Sequence, residues 1–256
     1  MNTILEHFEQ HFETCISQND DVVTKAQRLR YQVYCNEHNF LEKSNYHNDT
    51  ELDEFDGRSV HTLLVHKNSQ LPVATVRLIL SDSYNPESPF PLESFDILRR
   101  YDRDKQWRIP RHALGEISRF GVSKKFRRRL NEIEKAHGIT NRLHYEDGQS
   151  EKRQYAEITL GLFRAVTQMS FQTGVTHWYA AMEPSLIVLL AKVGIRFRPV
   201  GPLVDYHGLR QPCIGVAEEI IEGLFAHDPV IWAFVTDNGR LIPRAEQQSA
   251  SRFELN

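Results

Sequence analysis

The chain has only three cysteines in 256 residues, Cys15, Cys35 and Cys213, and they stand far apart. With no C-x-x-C pair and no even framework, a disulfide-stapled scaffold and a zinc ribbon are excluded, and free thiols in a reducing compartment are expected. No apolar run approaches the length of a membrane span. The first residues, Met1 to Gln10, alternate charged with apolar groups and do not form the core of a signal peptide. A cytoplasmic protein without a transmembrane segment is therefore expected. G-x-S-x-G, the Walker loop and H-E-x-x-H are all missing, which removes the hydrolases, nucleotide-binding enzymes and metalloproteases that depend on them. His7 and His11 have a helical spacing able to hold zinc, but no third ligand stands near them, so no metal is expected. An EF-hand fails because Leu52 and Phe55 interrupt the ligand spacing.

What is present is ordinary in bulk and uneven in detail. Apolar residues make up 40% and charged residues 25%, with a formal net charge of -3, the balance of a globular protein with a full core. Acid is concentrated from Asp49 to Asp56 and base from Lys124 to Arg129, a polarity that does not amount to a nucleic-acid signature. The periodicities predict an amphipathic helix over 3–17 and a second from an N-cap at Asp20 or Asp21 to about Asn36. Val60 to His66 and Pro72 to Leu80 read as a hairpin, and a proline-rich connection leads through a helix near Leu92 to Arg103. Leu114 to Ser123 reads as a third strand. A charged insertion over about 124–153 precedes a helix from Gln154 to Gln172 that Gly174 closes. Val175 to Met182 reads as a strand, Leu186 to Lys192 as a short apolar helix and Ile195 to Val204 as a strand. A helix over 216–226 completes the core. The expected fold is one α+β domain over 1–244 with a mostly antiparallel sheet, followed by a mobile tail over 245–256.

The informative residues are charges in apolar surroundings. Arg77 interrupts the buried-type strand Val73 to Leu80, where an unpaired guanidinium is costly, so it either finds a carboxylate or lies on an edge facing water. Glu116 and Arg119 raise the same question in the next strand. Arg30, Arg77 and Arg119, with Asp53, Asp56 and Glu116, are positioned to neutralise one another in a partly buried cluster. Composition alone leaves the acidic stretch open between a solvated loop and a wall of such a cluster.

The segments Arg28 to Tyr34, Asp53 to Asp56, Val76 to Leu78 and Glu116 to Val122 resemble, in order and spacing, the acyl-homoserine-lactone synthases and long-chain N-acyl amino acid synthases. The likeness is strongest to the acyltransferases that accompany PEP-CTERM/exosortase systems, and it extends to Tyr206 to Cys213. The resemblance implies a GNAT-like fold, with a sheet that splays open for an acyl thioester. It places catalytic roles on Glu116, Arg119 and Arg77, and acceptor binding on Arg30, Tyr34, Phe40, Asp53 and Asp56. Phe40 stands where the family commonly has tryptophan, and the 124–155 region is longer than in the lactone synthases.

Acyl transfer to an amine requires a neutral amine, positioning and donors for the oxyanion, but no nucleophilic side chain and no tightly bound cofactor. Glu116 is the candidate general base, acting through a water. Because it stands three residues from Arg119, the two face opposite sides of a regular strand unless a bulge intervenes. The segment after this strand, Ser123 to Asn131, lacks the glycine-rich turn that GNAT enzymes use to cradle the pyrophosphate of coenzyme A. Its bases Lys124, Lys125, Arg127 and Arg128 suit an acidic acyl carrier protein, which makes acyl-ACP the expected donor and acyl-CoA the lesser one. An exposed basic helix is the bland alternative for this segment. The expected acceptor is an amino acid or similar small amine. Lactone synthesis from S-adenosylmethionine and a non-catalytic module that binds the carrier remain as alternatives.

Overall fold

The computed structural model describes residues 4–94, 109–124, 126, 147–206 and 208–242, with the side chains of 94 and 147–154 outside that set. Most of the 124–153 insertion, all but the first three residues of the helix expected over 92–103, and the tail over 245–256 thus lie outside the described residues. The helices are α1 (Ile4–His11), α2 (Asp20–Tyr31), α3 (Pro91–Ser94), α4 (Asp147–Thr173), α5 (Pro184–Ala191), α6 (Ala217–His227) and α7 (Pro229–Val235). The strands are β1 (Phe12–Ser17), β2 (Ser59–His66), β3 (Leu71–Leu80), β4 (Leu114–Val122), β5 (His177–Met182), β6 (Arg198–Pro199), β7 (Val204–Asp205) and β8 (Leu209–Val216). They pair in the order β1-β2-β3-β4-β5-β8-β6, with β7 joined to β8 off this path. β1 with β2 and β5 with β8 are antiparallel, while β4 with β5 is parallel. The mostly antiparallel α+β arrangement expected from the sequence is the one observed. Among the described residues no helix is long and apolar enough to cross a membrane.

The chain divides into two compact units: Met1–Glu54 with His61–Arg77 and Arg119–Ala165, and Phe55–Val60 with Leu78–Ser118 and Val166–Asn256. In the first unit, the stripe Ala26, Leu29 and Val33 packs on Leu63 of β2. Gly161 of α4 admits the ring of Phe8 from α1, since a β-carbon there would lie 2.3 Å from that ring. In the second unit, Ile79, Phe90, Leu92, Leu114, Tyr179 and Ile214 form one core. Trp178 is fully buried there and donates its indole N–H to Ser170 Oγ at 2.7 Å, so its polar edge is satisfied.

Four expectations need correction. The helix expected over 3–17 stops at His11, because Phe12 to Ser17 forms an edge strand in register with β2, Phe12 opposite His66 and Ser17 opposite His61. β-branched Thr14 and Ile16 suit a strand, and the ladder overrides the helical periodicity. The cap of α2 is Asn19, whose side chain accepts the Asp21 N–H at 3.0 Å, rather than Asp20 or Asp21. α2 then continues as a π-helical turn over Gln32–Glu37. The strand expected over 195–204 reduces to two short pairings, since Pro199 and Pro202 have no N–H for a ladder. Its place in the sheet is taken by β8, which runs against β5 from His177 opposite Val216 to Met182 opposite Gln211.

Three histidines gather in the first unit. The rings of His7 and His11 lie 4.7 Å apart, and His11 stacks over His66 at 6.5 Å. His7 pairs with Glu157 at 3.2 Å. Burial lowers the pKa of His11, helped by His7 and opposed by Glu157, and burial together with His11 lowers that of His66. Groups lowered on folding bind fewer protons in the folded state, so this contribution to stability is full above the ordinary value of about 6.5 and is lost as pH falls through the lowered values. The thermal unfolding midpoint is expected to drop between pH 7.5 and 5.5, and the drop to shrink in the His11→Gln, His66→Gln double variant; calorimetry at the two pH values checks both.

Candidate active site

In the first unit, the arginines on three elements converge on two carboxylates of one loop. Arg30 of α2 and Glu51 are both fully buried, and Arg30 Nε donates to Glu51 Oε2. Arg119 of β4 reaches the same carboxylate, with Nε 3.1 Å from Oε2 and Nη2 2.8 Å from Oε1. Its Nη2 also lies 3.1 Å from Asp53 Oδ2. Arg77 of β3 grips Asp53 in a two-pronged pair, Nη1 to Oδ1 at 2.6 Å and Nη2 to Oδ2 at 2.9 Å. The Glu51 N–H donates to Gln27 O at 3.2 Å, which pins the loop to α2. The arrangement is graded: Arg30, Glu51 and Arg77 are inaccessible, while Asp53 and Arg119 keep 24% and 17% of their side chains exposed. The solvent-facing end is thus a carboxylate and a guanidinium held in fixed positions.

Burial by itself pushes the Glu51 carboxyl up, but the charges of Arg30 and Arg119 outweigh it and bring the pKa from 4.5 down to about 2. Burial likewise opposes the charge on Arg119, and Glu51 and Asp53 more than restore it, so its pKa is raised. The guanidinium of Arg119 also stands 5.7 Å over the ring of Tyr34. Tyr34 accepts the Phe40 N–H on its backbone carbonyl at 2.8 Å, and Phe40 stacks on His38 at 4.9 Å. Arg30, Asp53, Arg77 and Arg119 are thus joined in one cluster with Glu51, with Tyr34 against Arg119 and Phe40 beside Tyr34.

Glu51 is the member that sequence reasoning passed over. Three arginines in apolar settings call for more than one carboxylate in the same loop, and that count was the available signal. Asp56 stands in the second unit, half-buried at the start of a short 3-10 turn, Asp56–Arg58. Glu116 is also in the second unit, 4% exposed, and its Oε2 accepts the Leu92 N–H at 2.9 Å.

β4 is irregular between Glu116 and its end. Its parallel ladder with β5 runs from Leu114 opposite His177 to Ile117 opposite Ala180. Arg119 then adopts φ of +53°, a left-handed conformation uncommon for a residue with a side chain. The strict alternation of side chains between Glu116 and Arg119 does not hold across such a residue, which is the irregularity their spacing called for.

Glu37, at the end of the π-helical turn, occupies the start of the segment after β4. Its carboxylate accepts from Ser123 Oγ at 3.0 Å and from the Lys124 N–H at 2.7 Å, and Lys124 Nζ lies 3.3 Å from its backbone carbonyl. Lys125, Arg127 and Arg128 lie outside the described residues.

Residues 29–133 match the family model described as acetyltransferase (GNAT) domain. The sheet and that match define the architecture as a GNAT-like fold. Among solved structures, the chain is similar to the AHL synthase LasI at 14% identity and TM-score 0.57, over 85% of this chain and 96% of that one. It is similar to TofI, solved in a ternary complex with an inhibitor and MTA, at 16% identity and TM-score 0.55, over 86% and 99%. A third is the CoA-dependent acyl-homoserine lactone synthase BjaI with SAM and isopentyl-CoA, at 16% identity and TM-score 0.54, over 86% and 89%. These identities speak for the fold. No curated protein matches the sequence.

The graded cluster makes a test possible. Glu51→Gln leaves two buried guanidinium groups short of their counter-charge and is expected to cost about 3–5 kcal/mol in urea unfolding. Asp53→Asn, at a side chain that keeps 24% of its surface exposed, costs less. Because the Glu51 pKa is depressed, its stabilisation is present above about 4.5 and is lost as pH falls toward about 2, so the stability of the wild type is expected to fall more steeply with pH in that window than that of Glu51→Gln.

Proposed function

We propose that the protein transfers a fatty acyl chain from a carrier-protein thioester to the amino group of an amino acid or a similar small amine. The observation that carries this reading is Glu116: a nearly inaccessible carboxylate, oriented by a backbone N–H, on the strand that ends its pairing with β5 one residue further on. An acid so placed serves as a general base, taking a proton from the acceptor ammonium through a water. The amine nitrogen then attacks the thioester carbonyl, the C–N bond forms, the C–S bond breaks, and the thiol leaves with a proton. A backbone N–H of β4 holds the oxyanion. Base and oxyanion donor contribute about 100-fold or more each. Asp53 and Arg119, fixed by Arg77, Glu51 and Arg30, bind the opposite charges of the acceptor, with Tyr34 and Phe40 as apolar contacts and Asp56 as a further acid.

The donor is chosen by what stands after β4. A diphosphate seeks unpaired backbone N–H groups at such a point, and the Glu37 carboxylate already takes the Lys124 N–H. Free coenzyme A would meet a negative charge there. The bases Lys124, Lys125, Arg127 and Arg128 fit the acidic surface of an acyl carrier protein.

Untargeted lipid mass spectrometry of cells expressing wild type or Glu116→Gln tests the reaction. An N-acyl amino acid present only with the wild type is expected; an acyl-homoserine lactone in its place would move the reading to the lactone synthases. The donor is tested by comparing octanoyl carrier protein with octanoyl-CoA. The wild type is expected to prefer the carrier, and Glu37→Gln to narrow the preference by raising turnover of the CoA thioester.

A further inference from the structure

The Leu92 N–H belongs to the first turn of α3, where it has no partner within the helix and is available to Glu116. In the second unit the start of α3 is held by a set of contacts centred on Arg111, in the 3-10 turn Arg111–Ala113 that leads into β4.

Arg111 forks onto Glu93 of α3, Nη1 to Oε1 at 2.7 Å and Nη2 to Oε2 at 3.0 Å. Its remaining donors reach the backbone of the incoming loop, Nε to Pro86 O at 3.1 Å and Nη2 to Ser88 O at 2.9 Å. Glu93 closes the helix start by accepting the Phe90 N–H at 3.0 Å and donating its own N–H to Phe90 O at 2.9 Å. The ring of Phe90, fully buried, lies 4.7 Å beneath the Arg111 guanidinium and meets Tyr179 edge-on at 6.3 Å. Tyr179 is the residue of β5 directly opposite Glu116. One guanidinium thereby fixes the loop, the helix start and the amide that orients the Glu116 carboxylate.

We propose that Arg111 and Glu93 are positioning residues for Glu116: by holding the Leu92 amide against its carboxylate, they set the direction from which it receives the acceptor's proton. This rests on the reading of Glu116 as the general base. Neither residue needs to touch a substrate. An amide bonded to a carboxylate also favours its ionised form, so loosening the lock makes Glu116 harder to ionise.

The test pairs a direct readout with a kinetic one, on the full chain. Hydrogen exchange of the Leu92 amide by NMR reports the lock itself, whatever the reaction. Turnover is followed with octanoyl carrier protein and pooled amino acids. In Glu93→Gln the Leu92 amide is expected to exchange about tenfold faster or more, with urea unfolding still cooperative. The value of kcat should fall about tenfold or more while KM for the donor stays within about twofold. The acid limb of the pH–rate profile should move to higher pH. Arg111→Lys, which keeps the charge but not the fork, should fall between wild type and Arg111→Ala. Unchanged Leu92 exchange in Glu93→Gln and Arg111→Ala would overturn the lock. Faster exchange with an unchanged pH profile and kcat would overturn its positioning role. Full transfer by Glu116→Gln, or none by the wild type, would overturn the general-base reading and the purpose of the lock with it, while the exchange result would still stand.

Discussion

The first unit depends on a carboxylate with no access to water. Glu51 is the counter-charge to Arg30 behind it and Arg119 beside it, and Arg119 and Arg77 share Asp53. A buried ion pair adds little net stability over an apolar replacement of equal volume, yet a broken one is costly. That asymmetry makes the cluster a condition of assembly: helix, loop and two strands must all be present before any one charge is comfortable. The left-handed backbone of Arg119 is explained by the same condition, since the guanidinium has two carboxylates and an aromatic face to satisfy at once.

The second unit orders its own carboxylate by other means. Glu116 accepts the Leu92 N–H, and Arg111 and Glu93 hold the helix start that carries this amide. The first unit holds permanent charges of both signs at an accessible end, and the second keeps one acid buried. Glu37 in the first unit holds the start of the segment after β4 through the Ser123 hydroxyl and the Lys124 N–H.

Much of this was legible wherever a pattern was periodic or a charge was out of place. The β2–β3 hairpin, β4 and α4 follow from apolar repeats bounded by glycine and turn residues, and Ile158, Leu162, Ala165, Val166 and Met169 of α4 are all buried as their spacing implied. Arg77 in an apolar strand demanded a carboxylate, and Asp53 answers it. Which acids of the 49–56 stretch turn inward was not legible, because a loop has no period and its path is set by the arginines it meets. β1 was hidden in a segment whose apolar spacing also fits a helix, and only its partner β2 decides the matter. β8 was hidden by Pro212 and the polar pair Arg210 and Gln211, which read as punctuation until β5 is seen to need a neighbour. The contacts of Arg111 join residues from separate turns of the chain, and no local pattern announces them.

The pairing of β5 with β8 also bears on how the chain is made. β5 pairs parallel to β4, which precedes it, but its other edge is filled by a strand that follows after α5 and two short bridges. At synthesis rates of about 5–20 residues per second, that edge stays open for a few seconds in the growing chain. It is an apolar strand edge, and unpaired edges of this kind recruit other chains. The proline and the polar pair that disguise β8 as a turn lie in the strand that must cap this edge, so the late arrival is also one with little tendency to pair elsewhere.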